Sequence, residues 1–251
     1  MLTSVAVSPA TIMLRLGRTL SMTSFPVYIG SCGRLSVYQG DMTSISEYLT
    51  SDWDTRAELA SQILALINGL LSHTSYVMIV WNLGPRDFSV TSSGQVVLTG
   101  LDKVTLVDRS LLVAPAEDRQ VCNRGCFQQF QKDVMMETPR GQPGKGCGHS
   151  VQYSDMMYSD VCTYVFSDTT NGPGLLNSAS AEVRRLIAEC SIEEGIGGRW
   201  KAVDSLVTLL NTGDIDSSTT ETNTTNDPTY DPDTSGDSGS GNHEETTTKN
   251  P

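Results

Sequence analysis

Three oxygen-bearing side chains give the stretch IVWNLGPRDFSV and the run after it a chemical character. They are the amide of Asn82, the carboxylate of Asp87 and the carboxylate of Asp102. Carboxylates can hold divalent metal ions and an amide can orient a hydroxyl group, which are tasks of a phosphoryl-transfer loop. The alternative is an ordinary turn, in which Gly84 and Pro85 set the backbone and Asp87 caps a nearby amide.

The composition restricts the classes to which the protein can belong. With 251 residues and 38% hydrophobic content, the chain can bury one substantial core. From Gly213 onward it is rich in Thr, Ser, Asp and Gly, and this tail holds 9 of the 29 acidic residues and 1 of the 17 basic ones. The tail is predicted to be disordered and accounts for most of the net charge of −12. The basic residues are scattered along the chain, which argues against a nucleic-acid binder.

The apolar runs are too short to predict a membrane span. The longest, ILALINGLL, is half of the roughly 18 residues required. No signal peptide is visible either, because Pro9, Arg15 and Arg18 interrupt the region in which an apolar signal core would stand.

The cysteines point to an oxidising compartment. Their number is even and four lie in a loop-rich stretch, which favours disulfides, although about 15 pairings of six cysteines remain open. A zinc site made by the CNRGC and CGH motifs is the alternative. The absence of a visible signal conflicts with an oxidising compartment, and one resolution is that Met1 is not the natural start. Asn223, in the sequence NTT, is a glycosylation sequon for a secreted chain. The cysteines are Cys32, Cys122, Cys126, Cys147, Cys162 and Cys190.

Periodicity predicts an α+β fold. A hairpin is expected around GSCG, then a short helix capped by Thr43 or Ser44 and a long apolar helix capped by Asp52. YVMIV reads as a strand, and FSV with QVVLTGLDKVTLVD reads as a hairpin with alternating apolar positions. Three helical runs close the folded part: SDVCTYVFS, SASAEVRRLIAEC and RWKAVDSLVTLLNTG.

Several of these motifs resemble a known family in order and spacing: FPVYIGSCGRLSVY, IVWNLGPRDFSVTSSGQVVLTGLDKVTLVDRSLL, VCTYVF, EVRRLIAEC and GRWKAVDSLVTLL. The family is the divergent protein kinase domain group, also called family with sequence similarity sixty-nine, and the chain is most similar to its deleted-in-autism-like branch. The resemblance implies a protein-kinase-like fold, mostly the helical large lobe with a partial or missing small lobe. It also implies disulfide bonding and residence in the endoplasmic reticulum or Golgi, or secretion.

The resemblance assigns kinase positions to the loop, and the chemical residues at these positions are altered. The catalytic base falls on Asn82, which cannot accept a proton as a base, and the first metal ligand falls on Asp87, which keeps an oxygen ligand. The second metal ligand falls on Gly100, which has no side chain. Asp102 could replace it, but two residues along a strand displace it by about 6 to 7 Å, too far for metal bonds of roughly 2.0 to 2.6 Å without a bulge.

The nucleotide clamp is also missing from the sequence. No GxGxxG motif is present, and the first lysine is Lys103, after the loop. The predicted organisation is an N-terminal segment at 1–24 that is a possible small-lobe remnant, a kinase-like domain at 25–212 and the tail at 213–251. The predicted function is that of a secretory-pathway pseudokinase that acts by protein binding or signalling, with an unknown protein partner. The alternative is an atypical kinase that uses ATP with Mg²⁺ or Mn²⁺, held by Asp87 and Asp102.

Overall fold

The structure is a computed structural model that describes residues 9–32, 35–72, 76–108, 155–170, 172–192 and 198–212. The tail with Asn223 and three of the cysteines, Cys122, Cys126 and Cys147, lie outside these ranges. The helices are α1 (Pro9–Thr19), α2 (Trp53–Leu71), α3 (Asp155–Val161), α4 (Ala181–Ser191) and α5 (Gly198–Thr212). The strands are β1 (Tyr28–Cys32), β2 (Leu35–Tyr38), β3 (Met42–Ser44), β4 (Tyr76–Val80), β5 (Phe88–Thr91), β6 (Val96–Leu98) and β7 (Val104–Asp108).

The long apolar helix forms as predicted and lies in the core. Its N-cap is Asp52, whose carboxylate accepts a hydrogen bond from the backbone N–H of Thr55 at 2.9 Å. Ser44 caps the short 3₁₀ helix Ile45–Tyr48 before it. The predicted apolar face of α2 is buried, apart from Trp53, which is half-buried. The buried residues of α2 are Arg56, Ala57, Leu59, Ala60, Ile63, Leu64, Leu66, Ile67, Leu70 and Leu71.

The described strands form three small antiparallel sheets. The described strands pair as β1 with β2, as β3-β5-β6, and as β4 with β7. The predicted hairpins at GSCG and at the TSSG turn are therefore confirmed. The run QVVLTGLDKVTLVD does not continue as one strand, however. It breaks after β6 into a 3₁₀ turn at Leu101–Lys103, and β7 then turns to pair with β4.

The C-terminal helices pack together and carry a disulfide. α3 continues into a π-helical turn, Cys162–Phe166, and α4 begins at its N-cap Ser180. Cys162 and Cys190 are bonded across this packing, with their Cα atoms 6.0 Å apart, and both residues are fully buried. One pairing among those left open by the sequence is thereby assigned. Cys32, in contrast, has a free and exposed thiol at the end of β1, so its predicted disulfide is not formed with any cysteine of the described residues and stays a prediction.

The N-terminal helix α1 is joined to the first hairpin by polar contacts. The Arg15 guanidinium donates to the Tyr28 hydroxyl and to the Ser31 hydroxyl, both at 3.2 Å. Hydrogen bonds with Ser31 and then Arg15 lower the pKa of Tyr28. Thr11 and Ser36 also share a hydrogen bond. α1 packs further against the Leu101–Lys103 turn and β7, so it reaches the region of the altered loop.

Within the described part of the chain, no helix combines the length and the apolar character needed to cross a membrane.

The N-cap of α2 generates a prediction about stability. The backbone N–H and then the hydroxyl of Thr55 lower the pKa of Asp52 in the folded protein. The cap therefore stabilises the fold above the unfolded pKa of about 3.9, and this stabilisation is lost as the pH falls through the lower folded value. We expect Asp52→Ala to lower Tm by roughly 2–4 °C at neutral pH, a difference that shrinks in acid. Thermal denaturation followed by circular dichroism at several pH values measures it.

Asp54→Ala is the matched control, since it removes an exposed carboxylate from the same turn that accepts neither contact from Thr55. An equal loss of Tm in both variants would contradict the capping role.

Candidate functional site

The loop between β4 and β5 begins at a buried tryptophan. Trp81 is 2% exposed, and its indole N–H donates to the Thr105 hydroxyl at 2.6 Å, which fixes the start of the loop on β7. Asn82 follows with a φ of 50°, in the left-handed region that Asn tolerates better than most residues. Asn82 is exposed. Its amide thus lies on the surface at a sharp bend in the backbone.

Asp87 lies at the other end of the loop and is buried, with 5% exposure. Its side-chain Oδ2 accepts a hydrogen bond from the backbone N–H of Gly84 at 2.8 Å. Its main-chain oxygen accepts from the N–H groups of Thr99 at 2.7 Å and Gly100 at 3.2 Å. The amide-capping contact foreseen for Asp87 is present, and the same residue fixes the segment after β6.

Lys103 neutralises the carboxylate of Asp87. Its Nζ lies 2.8 Å from Oδ2 of Asp87 and donates to the carbonyl oxygen of Asn82 at 3.2 Å. The lysine side chain is 36% exposed and the aspartate side chain 7%. A buried ionised carboxylate is costly unless it is paired, so this contact allows Asp87 to stay charged inside the protein.

Gly100 is in close contact with the same carboxylate. A Cβ built on Gly100 would lie 2.3 Å from Oδ1 and 2.9 Å from Cβ of Asp87. Real Cβ atoms do not approach other atoms so closely. The side chain of Asp87 therefore occupies the space into which a side chain at position 100 would project.

The structure corrects the expected geometry of Asp102. The prediction placed it on a strand, two residues beyond Gly100, but it lies in the 3₁₀ turn Leu101–Lys103 and is exposed. The turn forms because the N–H groups of Thr99 and Gly100 donate to the main-chain oxygen of Asp87. The N–H of Lys103 donates in turn to the carbonyl oxygen of Gly100. The alternation of a strand thus gives no guide to where this carboxylate points.

The structure brings Asn82, Asp87 and Gly100 into one cluster and adds Lys103, which the sequence had not marked as a site residue. Its signal was weak, because a single lysine after a turn resembles any solvated residue. Within the described ranges, no group of three or more His, Cys, Asp or Glu residues could hold a metal ion. The predicted side-chain oxygen ligands are Asn82 and Asp87 in the loop and Asp102 in the turn Leu101–Lys103, and Asp87 is already paired.

The order of elements and the altered loop define a divergent protein-kinase domain. A family model described as the protein-kinase domain of FAM69 matches residues 3–193. The chain therefore belongs to the FAM69 family, as its motifs had indicated, and a mixed fold of helices and small sheets is consistent with this. A comparison with curated proteins gives no match.

The contact between Gly100 and Asp87 can be tested by adding a methyl group. We expect Gly100→Ala to destabilise the fold by about 2 kcal/mol, because the new Cβ must displace the buried carboxylate and its partners. Chemical denaturation measures the change. Gly40→Ala is the control, since nothing lies within 4 Å of a Cβ there.

The double variant Gly100→Ala with Asp87→Ala separates crowding from a backbone effect. Its loss of stability should be smaller than the sum of the single losses, because alanine at position 87 lacks the two nearest crowding atoms, Oδ1 and Cγ, and keeps only Cβ. Additive losses would show that the carboxylate does not fill this space.

Proposed function

We propose that this protein is a pseudokinase of the secretory pathway that acts by binding a protein partner. The observation that carries the proposal is the position of Asp87 against Gly100. The kinase position that would carry a metal-binding carboxylate has none, and the space beside it is filled by Asp87. A metal-dependent phosphoryl transfer lacks one of its two ligands at this place.

Two further features of the loop support the proposal. Asn82 stands at the position of the catalytic base, and its neutral amide cannot take a proton from a substrate hydroxyl at physiological pH. The remaining carboxylate, Asp87, is engaged by Gly84 and Lys103. The base position holds an amide, one metal-ligand position holds a glycine, and the carboxylate of Asp87 is paired with a lysine. The loop itself is nevertheless held by specific hydrogen bonds.

The lobe arrangement is part of the same proposal. We infer that the elements from β1 to α5, within residues 25–212, form the helical large lobe and that α1, in the segment 1–24, is a remnant of a small lobe. The support is that α1 packs both on the first hairpin and on the turn that follows the loop. In kinases the position of a small-lobe helix controls whether the catalytic parts are correctly placed.

The secretory location is supported by the buried disulfide Cys162–Cys190, since such bonds persist in oxidising compartments. We expect Asn223 to carry an N-linked glycan in the natural protein. Digestion with an N-glycosidase should then increase the electrophoretic mobility of the wild type but not of Asn223→Gln. An unglycosylated protein that fractionates with the cytosol would contradict this location.

A second candidate function, an atypical kinase that uses ATP with Mg²⁺ or Mn²⁺, is favoured by one observation. Asp102 is an exposed carboxylate two residues after Gly100. In that case Asp102 and Asp87 would hold the metal ion, and Lys103 would have to release Asp87.

Nucleotide binding distinguishes the two functions. A ligand present at 100 times its Kd stabilises a folded protein by about 2.7 kcal/mol, which raises Tm by roughly 5 °C or more in a domain of this size. We expect no rise of Tm with ATP and Mg²⁺ or Mn²⁺, and no transfer of labelled phosphate to the protein or to added substrates. Differential scanning fluorimetry with an active kinase as a positive control makes the measurement.

A rise of Tm together with phosphate transfer, both lost in Asp102→Asn, would contradict the pseudokinase proposal and establish the kinase. Asp102 is the better residue for this test than Asp87, because it is exposed and no fold contact depends on it in the described part of the chain.

A further inference from the structure

The Lys103 side chain joins the two ends of the altered loop. Its single ammonium group reaches the main-chain oxygen of Asn82 at 3.2 Å and the carboxylate of Asp87 at 2.8 Å. Asn82 is the second residue of the loop between β4 and β5, and Asp87 is its last. One cation thus contacts one neutral and one charged oxygen, a partner set that also suits a hard metal ion.

The charge at this place needs a partner. The Asp87 side chain is 7% exposed, and its Oδ2 faces both the Gly84 N–H and the Lys103 ammonium. The amide alone provides a partial charge, so among the described residues the lysine supplies the full positive charge beside this carboxylate. In active kinases the corresponding oxygen ligand faces a divalent cation.

The backbone explains how the lysine reaches the loop. The main-chain oxygen of Asp87 accepts hydrogen bonds from the N–H groups of Thr99 and Gly100. The N–H of Lys103 donates to the carbonyl oxygen of Gly100. This tight turn brings the start of β7 back beside the loop. A lysine stem is long and flexible and places a compact charge at its end, so it can act as a point cation there.

We propose that Lys103 is a positioning residue that supplies, from within the chain, the positive charge that a metal ion supplies in kinases. It holds the loop from Asn82 to Asp87 in shape without a metal ion. This inference rests on the proposed function, in which the loop serves as structure rather than as a catalytic site. It assigns a role to the lysine that neither the family match nor the altered loop residues provide.

The test removes the charge and keeps the stem. We expect Lys103→Met to lower Tm by roughly 5 °C and to speed amide hydrogen exchange in the loop, because the buried carboxylate loses its counter-ion. Lys103→Arg keeps the positive charge, so its Tm should fall less than that of Lys103→Met. Lys201→Met, at an exposed lysine on α5, is the matched control and should leave Tm unchanged.

The charge effect is separated from packing by a second background, Asp87→Asn. The amide oxygen of Asn can still accept the Gly84 N–H, but no negative charge remains. Lys103→Met should then cost much less Tm than it costs in the wild type. An equal cost in both backgrounds would show that the lysine acts through its stem, and the proposal would be overturned. If Lys103→Met unfolds the protein, recovery in the Asp87→Asn background supports the proposal, and unfolding in both backgrounds rejects it.

A second measurement tests whether a metal ion binds at this place, with Mn²⁺ added in the absence of nucleotide. The Tm of the wild-type chain should be the same in millimolar Mn²⁺ and in EDTA, since the place is already occupied by the ammonium. A rise of Tm with Mn²⁺ in the absence of nucleotide overturns the role of Lys103. Phosphate transfer from ATP is a different result that rejects the pseudokinase function, so the two failures can be told apart.

Discussion

The burial of one carboxylate, that of Asp87, is the constraint on which the rest of the loop depends. Its side chain accepts a hydrogen bond from the N–H of Gly84, and its main-chain oxygen accepts hydrogen bonds from the N–H groups of Thr99 and Gly100. The direction of the chain after β6, and hence the pairing of β7 with β4, follows from these bonds. A charged group so deeply placed requires a counter-charge, and Lys103 stands at the point to which this same turn returns the chain.

Much of the secondary structure could be predicted because its causes are local. The apolar spacing and the cap at Asp52 define α2 within a short stretch of sequence, and the hairpins are marked by turn residues between β-rich runs. The C-terminal helices were equally clear from their helical spacing, and the structure adds Ser180 as the N-cap of α4. Periodicity and capping act over one or two turns, so a single sequence contains the information.

The features that the sequence could not provide are contacts between distant residues. Asp102 was assigned to a strand because the alternation of apolar residues continues through it, whereas the turn at that place is made by the carbonyl of Asp87. The bond between Cys162 and Cys190 was one of many pairings, and only the packing of the π-helical turn on α4 selects it. The partnership of Lys103 with Asp87 spans 16 positions and has no periodic signal.

The contact between Gly100 and Asp87 also bears on how this protein can evolve. A substitution of Gly100 by aspartate would not create a metal site, because its Cβ would collide with Asp87 before its carboxylate could reach any ion. Asp87 would have to move first, and Lys103 would then lose its partner. Such a site requires coordinated changes at three positions, each harmful alone. A carboxylate at position 100 is therefore harder to introduce by single substitutions than one at a position with free space.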